Sequence, residues 1–122
     1  MVNKGRKITG GKYHQNRKKR KTETRKQERI VKLSDTKKKR LRVRSGVKKT
    51  ILLSSNIVNL LNKKTHKTEK AKIKNVVETP QNRFLARQNI LAKGAIIETE
   101  KGKAKITNRP SQEGQINAIL IE

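Results

Sequence analysis

The chain is 122 residues long and carries 34 Lys and Arg against 9 Asp and Glu, a formal net charge of +25. Such a chain repels itself in water and is suited to work beside a large polyanion, which points first to nucleic acid. The lack of Cys excludes disulfides and thiolate metal sites, no apolar run reaches membrane-spanning length, and Tyr13 and Phe84 alone are too few for modules that stack single-stranded bases.

The positive charge is concentrated at the start. Residues 1–50 hold 21 basic and 3 acidic side chains, whereas residues 51–122 hold 13 and 6. Residues 1–38 read as a basic extension that is too poor in apolar side chains to offset its ordering entropy without a partner. Residues 39–122 read as one small domain with a thin core. Met1-Val2-Asn3-Lys4 leads into charge rather than an apolar stretch, so no secretory signal is read.

Lys4-Gly5-Arg6-Lys7-Ile8-Thr9-Gly10-Gly11-Lys12 opens the extension. The glycine pair permits positive φ and close approach to another surface, such as a phosphate backbone, or serves only as a flexible linker. Arg17-Lys18-Lys19-Arg20-Lys21 follows as five consecutive cations. A run of this density favours nucleic-acid contact over simple solvation. Residues 22–33 have modest helical potential, with Glu28 and Lys32 four apart.

From residue 39 the period changes to two. Arg40, Arg42 and Arg44 alternate with Leu41 and Val43, the pattern of a half-buried strand with the arginines outward. Ser45-Gly46 marks a turn. Residues 47–61 fit a helical stripe through Leu53, Ile57, Leu60 and Leu61. They also fit two strands broken at Ser54-Ser55-Asn56, which β-branched content weakly favours. Residues 69–77 alternate again, with Ala71, Ile73 and Val77 on one face and Lys70, Lys72 and Lys74 on the other.

Thr79-Pro80 predicts a helix start, with Thr79 as cap, running to about Ile90 and ending before Gly94. Arg83 and Arg87 would share one face, Phe84 and Leu91 the core face. Around Lys101-Gly102 the sequence predicts a hairpin with a two-residue turn. Glu100 would face Lys103, Glu98 would face Lys105, and Ile97 would face Ile106 on the apolar side. Arg109-Pro110 to Gly114 forms a loop. Ile116, Ala118 and Leu120 alternate with Asn117, Ile119 and Ile121, as in a strand that is central or closes a barrel. Several short antiparallel strands and one short helix make a mainly β fold, a small barrel or sandwich.

Catalytic chemistry finds no foothold. His14 and His66 sit in no metal spacing, Gly5 to Gly11 lacks a P-loop ending, and no general acid/base pair can be assembled. No cofactor or small-molecule substrate is expected. A membrane surface fits poorly, because no amphipathic helix with aromatic anchors is present.

Two stretches carry a family resemblance. The first is Lys4 to Gly11 followed by Arg17 to Lys21. The second runs from Glu78-Thr79-Pro80-Gln81-Asn82-Arg83 through Asn89 to Pro110 and on from Gln112 to Ile121. In order and spacing the chain resembles the archaeal and eukaryotic ribosomal protein eight family of the small subunit, and its compact length is similar to the archaeal branch. It departs from the family after the basic run, where Thr22-Glu23-Thr24-Arg25 keeps only the glutamate, and after the arginine-rich strand, where a glycine pair is reduced to Gly46.

The resemblance implies a small antiparallel β-barrel behind a basic extension, with strands over residues 47–61. It implies small-subunit ribosomal RNA and neighbouring ribosomal proteins as partners, in the cytoplasm. The matched positions expected to meet RNA are Lys4, Arg6, Lys7, Gly10, Gly11 and Lys12. Arg17, Lys18, Lys19, Arg20 and Lys21 follow, then Arg42, Arg44, Arg83, Arg87, Lys93 and Arg109. A DNA-compacting protein without a defined site explains the charge equally well, but accounts for neither the barrel nor the two matched stretches.

Overall fold

The computed structural model describes residues 5–14, 17–24 and 28–121. Among the described residues seven strands form two sheets. β1 (Lys37–Arg42) and β2 (Lys48–Ser54) make an antiparallel ribbon. β3 (Ile57–Leu61), β4 (Thr68–Glu78), β5 (Ile96–Thr99), β6 (Gly102–Ile106) and β7 (Asn117–Leu120) close into a barrel. The ambiguous stretch 47–61 is therefore two strands, broken where the Ser55 hydroxyl accepts from the Ile57 amide.

Strands β3 to β7 alternate in direction. With an odd number of strands the first and last run the same way, so β3 and β7 close the barrel in parallel. Closure removes sheet edges. Val58, Leu60, Ile97 and Ile106 fill the interior, and Ala71, Ala104 and Ala118 keep it narrow enough to pack without voids.

The chain enters this body at Val31, which is buried. Leu91 N donates to Val31 O at 2.8 Å, Leu33 N to Asn89 O at 3.0 Å, and Ser55 N to Lys32 O at 3.2 Å. Residues 31–33 are thus laid between the end of β2 and residues 89–91. The described parts of residues 22–33 are not helical, and at residues 31–33 the backbone groups are taken by this pairing.

Four further expectations are corrected. Val77 does not share the inner face with Ala71 and Ile73. β4 shifts register between Ile73 and Asn75 and again between Val76 and Glu78, so Val76 is buried and Val77 exposed. Asn75 Oδ1 accepts from the Val76 amide at 2.9 Å and stabilises the irregularity.

The helix is shorter than predicted. α1 spans Arg83–Arg87, capped by Asn82, whose Oδ1 accepts from Phe84 N at 3.0 Å. Thr79 is buried and does not cap, and Phe84 is 67% exposed, not in the core. Asn89 at φ 51° ends the segment and frees Leu91 to pair with Val31.

The β5–β6 hairpin turns one residue earlier than predicted. Thr99 pairs with Gly102, so Glu98 faces Lys103 and Ile97 faces Ala104. Thr99 Oγ1 donates to Gly102 O at 2.7 Å and accepts from Lys101 N at 3.3 Å, which locks Glu100-Lys101 as the turn. Each residue's partner moves by two positions, so the buried and solvent faces are unchanged.

The arginine-rich strand stops at Arg42. Arg44 lies in the turn and Val43 is exposed at the ribbon tip, whereas Ile51 and Leu52 of β2 are buried and Leu52 joins the core. In that turn Ser45 takes φ 62° and Gly46 φ 78°. A serine in the left-handed region costs about 1 kcal/mol relative to glycine. Ser45→Gly should therefore stabilise the ribbon by up to about that amount, read as slower amide exchange from Arg40 to Thr50.

Candidate nucleic-acid interface

Three groups of cations emerge. The first is a small hairpin in the extension. Arg6 bridges to Lys12, Lys7 N donates to Gly11 O at 2.9 Å, and Gly10 N donates to Lys7 O at 2.9 Å. Gly10 has φ 78°, so the turn needs the conformational freedom read from the sequence. Arg6 Nη1 closes the turn onto Gly10 O at 2.9 Å, and Lys7 Nζ sits 5.9 Å from the Tyr13 ring centroid. Lys7 and Lys12 remain exposed. Lys4 lies outside the described residues.

The basic run forms a second turn. Arg17 makes two hydrogen bonds to Glu23, at 2.8 and 3.0 Å, and Glu23 Oε2 accepts from the Arg20 amide. The Arg17 guanidinium holds the Glu23 carboxyl below its ordinary range, with the Arg20 amide and the charge of Lys19 acting in the same direction. Arg17 is therefore engaged, while Lys18, Lys19, Arg20 and Lys21 are exposed. The hydrogen bonds of residues 5–24, among the described residues, are all local.

The third group is on the body. Lys93 and Arg109 line one groove of about 750 Å³ whose far wall is the extension itself, at Glu28 to Val31. Arg29, which the sequence reading left out, faces the same groove. Its signal was position alone, a cation two residues before the buried Val31. Arg83 and Arg87 are exposed on α1, apart from that lining. Arg42 and Arg44 belong to the ribbon, which adds Lys38, Arg40 and Lys48, also passed over as site residues. Lys49 is tethered, its Nζ donating to Gln112 Oε1 at 2.6 Å.

Outward lysines line the barrel as expected. Lys70, Lys72 and Lys74 on β4 and Lys103 and Lys105 on β6 are exposed. The pairing of acids differs from expectation: Lys101, in the turn, pairs with Glu69 across the sheet. Nearly all these basic side chains lie in solvent, so the surface can neutralise phosphates without taking them from water into a pocket. Among the described residues no helix is long and apolar enough to cross a membrane.

Comparison with known proteins shows the family. The family profile described as ribosomal protein S8e matches residues 2–121. The small ribosomal subunit protein eS8 of Methanococcus aeolicus is 50% identical, over 95% of this chain and 91% of the relative. Those of Methanocella arvoryzae and Nanoarchaeum equitans are 45% and 44% identical, over 95% and 94% of this chain and 93% and 91% of the relatives. A matching profile over nearly the whole length, with relatives that align end to end, places the chain in the ribosomal protein S8e family.

Proposed function

We propose that this chain is a structural constituent of the small ribosomal subunit that binds and neutralises ribosomal RNA and catalyses no reaction. The observation that carries the reading is the joining of a matched small-subunit family with a closed barrel that presents a strongly basic surface. The barrel docks on the RNA surface and fixes where the extension begins. The extension then runs between RNA helices and screens phosphates that would otherwise repel one another. Lys7, Lys12 and Lys18 to Lys21 act from the extension. Arg42, Arg44, Arg83, Arg87, Lys93 and Arg109 act from the body.

Neighbouring ribosomal proteins and a cytoplasmic, ribosome-bound location follow from the same reading. A DNA-compacting role gains no support, since the relatives described above are small-subunit proteins. Sedimentation tests the assignment. A tagged chain made in an archaeal host should travel with small subunits after a moderate salt wash. Recovery with DNA, or release as free protein, would refute it.

A further inference from the structure

The β1–β2 ribbon is not needed to close the barrel, and its charges oppose its own pairing. Arg42 stands opposite Lys48, and the alternation of side chains places Lys38, Arg40, Arg42 and Lys48 on one face, together with Thr50 and, at its far end, the buried Leu52. All four are exposed, and among the described residues none has a carboxylate partner. Like charges directly opposite one another destabilise a strand pair. Ile51 and Leu52 anchor the far end of the ribbon to the body, but the Arg42–Lys48 end beside the tip has no buried side chain to offset that penalty. Lysines on an edge strand also discourage sheet-to-sheet aggregation. That role needs cations on β1 alone and gives no reason to set Lys48 against Arg42.

The arrangement becomes favourable when an anion fills the space between the cations. Side chains two apart on a strand are about 6.8 Å from each other, and directly opposed ones are about 5 Å apart. The ribbon therefore fixes the spacing of the side-chain roots from which its charges extend. Such spacing suits phosphates that are themselves held in fixed positions, as in a double helix. A flexible single strand is gripped largely by stacking its bases on aromatic rings, and the ribbon has no aromatic residue. Exposed Val43 and Val47 flank the tip around Arg44, where apolar side chains would lie on ribose edges. A-form RNA offers ribose and phosphate along its wide, shallow minor groove.

From this we infer that the β1–β2 ribbon is a separate site for double-helical RNA, gripping the phosphates that border a groove through Lys38, Arg40, Arg42 and Lys48. The inference rests on RNA being the ligand of the chain, and it adds which form of RNA this element selects.

The test uses the full chain and the fourfold variant Lys38→Gln, Arg40→Gln, Arg42→Gln, Lys48→Gln. Binding is measured across a salt series to an RNA hairpin with a stem of about 16 base pairs and to a single-stranded oligouridylate of equal nucleotide number. The slope of log K against log salt on the stem should fall by about three units, while the slope on the single strand stays unchanged. The free variant should melt no lower than wild type, because the opposed charges are gone. Arg42→Gln alone, a milder change, should lower the stem slope by about one. An unchanged stem slope, or an equal fall on both ligands, overturns the inference. If wild type enters small subunits while the fourfold variant binds the stem undiminished, only this inference fails. If ribbon-dependent stem binding is found in a chain that never enters small subunits, only the ribosomal assignment fails.

Discussion

Replacing Ile97 with alanine should cost the free protein about 2–5 kcal/mol, measured by urea or thermal unfolding. Ile97 lies on β5 with no exposed surface and faces Ala104 across the sheet. Ala104 cannot move to fill the space left, nor can Ala71 or Ala118, because all three are already small and fixed in a closed barrel. The cavity should therefore persist, which favours the upper part of the range. A small domain holds only about 5–15 kcal/mol in total, so the variant should be near its folding threshold without RNA. Val77→Ala supplies the contrast. Val77 is 46% exposed on the outer face of β4, and its truncation should fall within about 0.5 kcal/mol. A large loss at Val77 would mean that the β4 irregularities are misplaced and that the alternation continues unbroken through Asn75.

The second large effect concerns the extension. Changing Arg17, Lys18, Lys19, Arg20 and Lys21 together to glutamine removes five charges, yet the loss in salt slope should correspond to about four. Each phosphate contact contributes about 0.7–0.9 to the slope, and Arg17 is already bound to Glu23. The slope should therefore fall by about three units, and affinity at low salt by about two or more orders of magnitude. Glu23→Gln makes the complementary change. It releases Arg17 and removes a nearby negative charge, so binding should become steeper in salt by about one unit. Filter binding or fluorescence anisotropy with small-subunit RNA checks both. A slope insensitive to the fivefold change would remove the extension from the interface.

Much of this protein was legible before any fold was known. The excess of cations, the paucity of aromatics and the division between a basic leader and an apolar body are compositional, and they point to phosphate rather than bases. Barrel strands β4 to β7 follow from period two and hairpin pairing, and the reversals at Gly46 and Gly94, both at positive φ, from their turn-forming residues. Inside and outside were correctly assigned on β5 and β6 even though the register was not. An error of two residues preserves the alternation, so the hydrophobic pattern alone does not detect it. The matched family stretches resolved residues 47–61 as strands, where local propensity was nearly balanced.

Other features depended on contacts between distant parts of the chain. Val76 and Val77 are adjacent and chemically alike, and only the pairing of β4 with β5 decides which one enters the core. Thr79-Pro80 is a good local helix start, but Thr79 is buried and Asn82 takes the cap, and at the other end residues 89–91 are drawn away to pair with the entering segment at Val31. The cations followed the same rule. Their number was set by composition, whereas tertiary structure engaged Arg17 with Glu23 and Lys49 with Gln112. It also gathered Arg29, Lys93 and Arg109 around one groove and left the ribbon's four without a carboxylate partner among the described residues. Charge is a property of each side chain alone, while the spacing and direction of charges are properties of the pairing that holds the strands.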